Sequence, residues 1–101
     1  MRFTRGEKSP GDDLPWNWDY SDEPVFSASP ITSFAATDWN GNALAVIVVG
    51  SPSYASPIVQ TRISGGTNGA TYYIKGRATN AGGEDREAFL QLTVRIPTPD
   101  A

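Results

Sequence analysis

The chain has 101 residues, 39% hydrophobic and 19% charged, with ten glycines and eight prolines. That is room for one core at the turn density of an all-β domain, and not for a second domain. The chain has no cysteine, which excludes disulfides and thiolate metal sites, and no histidine, which removes the neutral-pH base of an ordinary hydrolase. The formal charge of −3 argues against a nucleic-acid partner.

Residues 1–13 contain Gly6, Pro10 and Gly11 and little beyond Phe3 to bury, so they read as an extended N-terminal arm ordered mainly by a neighbouring protein. The arm carries Arg2, Arg5 and Lys8 but no apolar stretch of signal-peptide length. The longest apolar run, Ala43 to Val49, is too short to span a bilayer, so the expectation is synthesis as a soluble cytoplasmic chain with no membrane partner.

Leu14 to Tyr20 sets Trp16, Trp18 and Tyr20 against Pro15, Asn17 and Asp19, the alternation of a strand with one aromatic face. Pro15 places that strand's start at a sheet edge, because proline has no N–H for a ladder. Val25 to Pro30 reads as an extended piece and Ile31 to Asp38 as a second strand. Asn40-Gly41 favours a tight hairpin turn, and Leu44 to Val49, apolar on both faces, reads as a central strand. Gly50 to Pro57 is a loop that its prolines keep extended. Ile58 to Ser64 alternates Val59, Thr61 and Ile63 with Ile58, Gln60 and Arg62, and Gly65 to Gly69 breaks it. Tyr72, Ile74, Gly76 and Ala78 then point inward, Asn80 to Glu84 turns, and Asp85 to Ile96 returns with Ala88, Leu90, Leu92, Val94 and Ile96 inside. Pro97 and Pro99 end pairing, which leaves residues 97–101 as a proline-rich tail and 14–96 as the folded unit.

The hairpin from Gly69 to Val94 resembles the closing hairpin of an intermediate-type immunoglobulin domain. Antibody-like domains place a tyrosine two residues before a core cysteine, with its hydroxyl bonded to backbone upstream, and Tyr72 stands that far before Ile74. The expected fold is an immunoglobulin-like β-sandwich of about seven strands whose core includes Tyr72, Ile74, Leu90, Leu92 and Val94.

No motif points to catalysis. Asp38 to Asn42 has its glycine at the fourth position, where a calcium loop needs it at the sixth and a glutamate at the twelfth. Asp12, Asp13, Asp19, Asp22 and Glu23 lack diagnostic metal spacing, and nothing in the sequence sets two carboxylates apart as acid and base; for cleavage of a glycan, which two carboxylates alone can perform, Asp19 and Asp38 are the pair to test because they flank aromatic positions. No metal and no cofactor are expected. No Lys or Arg lies between Ser9 and Thr61, whereas Arg62, Lys75, Arg77, Arg86 and Arg95 follow; two poles for head-to-tail packing and an ordinary solvated surface both fit this arrangement. Trp16, Trp18, Trp39 and Tyr54 suit burial in the core or a subunit interface, with a stacking platform for sugars or nucleobases as the alternative. Together with Arg2, Phe3, Arg5 and Lys8 they are the candidate interface residues.

The segment Lys8-Ser9-Pro10-Gly11-Asp12-Asp13-Leu14 resembles the Lys-x-Pro-x-Asp-x-Leu opening of a family of small bacteriophage virion proteins, with one inserted residue. Trp16 then takes the family's aromatic place, and Asp19-Tyr20-Ser21 stands where the family has Asp-Trp-Ser. A second family mark, a strand ending in Ser-Gly-Gly with Thr, Gly and Tyr after it, matches Ser64-Gly65-Gly66-Thr67-Asn68-Gly69-Ala70-Thr71-Tyr72, and Ala78 to Gly83 follows as the Thr-bearing strand and turn. Most of Lys8 to Arg95 is covered, and Gly50 to Pro57 departs from the pattern. The family comprises phage fiber-tail adaptor or head–tail region proteins. The resemblance implies an immunoglobulin-like, non-enzymatic virion subunit, present in several copies and contacting tail, fiber, connector or capsid proteins. Capsid decoration and host-glycan binding are the competing readings.

Overall fold

The computed structural model describes residues 2–96, so the expected tail Pro97–Ala101 lies outside the described residues. The described residues form eight strands and one short helix: β1 Arg2–Lys8, β2 Leu14–Asp19, α1 Pro24–Ala28, β3 Ile31–Asp38, β4 Ile47–Val49, β5 Ser53–Ala55, β6 Ile58–Gly65, β7 Thr71–Asn80 and β8 Asp85–Val94. They make two sheets, one ordered β1-β8-β7-β3 and the other β2-β6-β4, with β5 also pairing β6. Their inner faces meet in one core, an all-β sandwich of eight strands where the sequence suggested about seven.

Alternation in the longest strands builds that core. Ile74 and Ala78 of β7 and Ala88, Leu90, Leu92 and Val94 of β8 are buried on one side, and Val59, Thr61 and Ile63 of β6 face them from the other. The Trp18 and Phe34 rings, 5.3 Å apart, lie between β2 and β3 and so between the sheets. Backbone closes tightly there: a Cβ on Gly76 would lie 2.7 Å from Phe34 and 2.8 Å from Trp18. Asn80 ends β7, and Glu84 is the last loop residue before β8. Asn80 N donates to Glu84 O at 3.1 Å, Glu84 N donates to Asn80 Oδ1 at 2.9 Å, and Gly83 supplies the positive φ in the loop of residues 81–84.

Several expectations change. Arg2–Lys8 is not an arm awaiting a neighbour: β1 pairs in parallel with β8 from Arg2↔Ala88 to Lys8↔Val94. Its order comes from the sheet, whose ladder satisfies backbone groups that the amino-acid pattern left without a partner. Val25 falls in α1, a single turn started by Pro24 that buries Phe26 edge-on against Tyr20 with ring centroids 5.6 Å apart. The apolar run Leu44 to Val49 yields only β4, at a sheet edge, with Val46 and Val48 more than half exposed. The Asn40-Gly41 turn does form, but it links strands of different sheets and closes no hairpin. The loop Gly50 to Pro57 contains β5, folded back on β6 through Ser56 and Pro57. Ile96 lies beyond the end of β8 and is 60% exposed.

Candidate functional site

Among the described residues, the outer face of the first sheet carries the largest cluster of aromatic rings in contact. The β1–β8 register sets Phe3 beside Phe89, and Tyr73 stands on the adjacent β7 opposite Gln91. Trp39 is held above these strands by the turn that ends β3. Asp38 Oδ1 accepts from the backbone N–H groups of Asn40 and Asn42 at 2.8 Å each, Asp38 N donates to Asn42 O at 2.9 Å, and Gly41 takes φ +87°. This Asx-type lock fixes the direction of the indole.

Trp39 then meets Tyr73, Phe89 and Phe3 edge-on, with centroid separations of 4.9, 5.5 and 5.8 Å. The Arg5 guanidinium lies 5.2 Å from the centre of the Phe3 ring, within cation–π range. Phe3, Trp39 and Tyr73 remain 40, 37 and 45% exposed even in mutual contact. Beside them runs a groove of about 550 Å³ lined by Leu44, Val46 and Tyr72 as well as Trp39 and Tyr73. Clustered Trp, Tyr and Phe beside one Arg are the residue types that anchor protein interfaces, because they offer large contact area at small conformational cost.

The sequence-based candidates scatter around the fold. Trp18 is 2% exposed and its Nε1 donates to Thr61 Oγ1 at 3.0 Å, so its expected interface role is corrected to a core role. Lys8 is likewise corrected: it is 4% exposed, and its ammonium donates to Gly65 O at 2.6 Å and Ser9 O at 2.7 Å. Trp16 is half-buried over Gly6. Tyr54 is exposed on β5 of the second sheet, beside a small cleft lined by Asn17, Ile58 and Gln60, away from the Trp39 cluster. Arg2 begins β1, its backbone paired with Ala88. No shared platform joins Trp16, Trp18, Trp39 and Tyr54.

Tyr72, expected inside, is only partly buried, and its hydroxyl accepts a 2.8 Å hydrogen bond from Thr67 N, five residues upstream. Ile74, Leu90, Leu92 and Val94 are between 0 and 2% exposed. Tyr73 and Phe89 were absent from the sequence-based site. The signal lay in the same alternation that put Ile74 and Leu90 inside, because it left two aromatic rings on the solvent face.

Charges are locally matched. Arg62 pairs with Asp13 at 2.9 Å, Lys75 with Glu87 at 3.2 Å, Arg86 with Glu23 at 2.8 Å, Arg95 with Glu7 at 3.1 Å, and Arg77 with Asp85. This interleaving fits the solvated-surface reading of the charge pattern. The hydrogen bond from Thr79 Oγ1, followed by that from Arg77, holds the Asp85 carboxyl below the usual carboxylate range. Asp19 accepts from Ser21 N at 2.9 Å and Asp38 caps its own turn, so both carboxylates hold local backbone.

A family model described as podophage GP4 fiber-tail adaptor protein gp77 matches residues 8–95 of the chain. No curated protein matches it.

Proposed function

The chain belongs to the podophage GP4 fiber-tail adaptor family, and on that premise we propose that it is a non-enzymatic structural subunit of the virion that joins fiber to tail. The match over residues 8–95 carries the adaptor role. The cluster of Phe3, Trp39, Tyr73 and Phe89 supplies the docking surface, and multiple copies in one particle give that surface the avidity an assembly needs.

The strand orders β2-β6-β4 and β3-β7-β8, with β1 alongside β8, support an immunoglobulin-type topology for the module. The engagement of Asp19 and Asp38 in capping turns supports a binding role over glycan cleavage.

Gold-labelled antibody against the chain, applied to intact particles, tests the location. Label at the tail near the fiber attachment is expected, and label spread over the head would replace the adaptor reading with capsid decoration.

A further inference from the structure

The two edges of the first sheet differ in how they meet solvent. β1 closes one side with the exposed charges of Arg5 and Glu7 along its length, the kind of residue that discourages edge pairing. β3 closes the other with Ile31-Thr32-Ser33-Phe34-Ala35-Ala36-Thr37-Asp38, which has no proline, no glycine and no charge before its last residue. Among the described residues no strand pairs its outer side.

The register of β3 on β7 is unbroken from Ser33↔Thr79 to Asp38↔Ile74. Asp38 N donates to Asn42 O, so its backbone N–H points away from β7. Alternation along the strand then directs the N–H and C=O groups of Phe34 and Ala36 to the open edge, while those of Ser33, Ala35 and Thr37 face β7.

We propose that this edge is a pairing surface for β3 of a second copy of the chain, antiparallel about a two-fold axis at Ala35. In that register Phe34 stands opposite the partner's Ala36, and both pairs exchange their N–H···O bonds. Ser33 stands opposite the partner's Thr37, and Ala35 meets its own equivalent as a non-hydrogen-bonded pair with Cα atoms about 4.5 Å apart. The sequence is self-complementary in size, because the bulky Phe34 faces an alanine and only methyl groups meet on the axis. It is self-complementary in charge as well, because the two Asp38 carboxylates fall at opposite ends. Asp38 N is already committed to its turn, which ends the pairing there. The result is one continuous sheet through both copies, closed by symmetry so that it does not propagate. This surface is separate from the aromatic face, and the inference does not rest on the adaptor role.

Residue 35 is the position to test, because Ala35 is exposed and the two-fold places it opposite itself. Sedimentation should show the wild-type chain at twice its 10.8 kDa mass, Ala35→Lys and Ala35→Glu each as folded monomers, and an equimolar mixture of the two again as a dimer. Because the chain has no cysteine, Ala35→Cys should oxidise to a linked dimer, whereas Asn17→Cys on the second sheet should not. A monomeric wild type, a larger ring, a dimer indifferent to Ala35→Lys, a mixture that stays monomeric, or cross-linking no greater at residue 35 than at residue 17 would each overturn the proposal.

Discussion

The Tyr20 hydroxyl donates a 2.7 Å hydrogen bond to the Gly76 carbonyl, and this bond joins the two sheets. Tyr20 follows β2 of one sheet, is fully buried, and reaches into the middle of β7 of the other. Its ring also receives Phe26 from α1, so one side chain links the second sheet, the first sheet and the helix that covers the end of the core. Tyr20→Phe keeps the ring packing and removes the bond, so it should cost about 0.5–1.5 kcal/mol in chemical denaturation. An unchanged midpoint would show that the bond does not hold the sheets.

Gly76 lets Trp18 and Phe34 approach the backbone of β7, and a methyl group there would enter both rings. Gly76→Ala should destabilise the fold by about 1–3 kcal/mol through forced repacking. Near-UV circular dichroism should show the tryptophan environment change with it. A variant as stable as the wild type would mean that the sheets can separate at no measurable cost.

The position of β1 changes what removing the N-terminus should do. Deleting residues 1–8 takes away the parallel ladder on β8, the buried Lys8 ammonium and the Gly6 backbone over which Trp16 lies. A loss above about 2 kcal/mol is expected, roughly 10 °C in Tm for a domain of this size. A truncated chain with an unaltered Tm would return β1 to the status of an accessory arm.

The Asp85 carboxyl is held below its ordinary range by Thr79 first and Arg77 second. Its folded pKa is therefore below its unfolded one, so its contribution is present above the unfolded pKa and fades as pH falls through the folded pKa. Thermal unfolding followed from neutral to acid pH should show the wild type losing stability in that range, with Asp85→Asn showing a shallower loss. Identical slopes for the two chains would dissociate Asp85 from the acid response.

The β6, β7 and β8 strands were legible because period-2 alternation survives wherever a strand has one buried face, and Gly65 to Gly69 and Asn80 to Glu84 mark their ends. β1 was not, because its ladder partner lies some 86 residues away at Ala88 and its charged side chains mimic a solvated arm. Leu44 to Val49 was over-read for the opposite reason: continuous apolarity implied a central strand, yet Val46 and Val48 point outward at an edge. For the site, Trp39 was among the aromatics assigned to the core or a subunit interface, but its neighbours come from three strands that only the sheet order brings together.

The central claim is that the aromatic outer face docks this subunit onto the phage tail. The most direct measurement is the amount of the chain in purified particles when the only copy supplied is Trp39→Ala, with its Tm measured in parallel. The indole is partly exposed and outside the core, so the purified variant should keep the wild-type fold while its incorporation falls at least tenfold, the loss of an anchor worth about 1.4 kcal/mol or more. Particles carrying the folded variant at wild-type level, with fibers attached, would contradict the account.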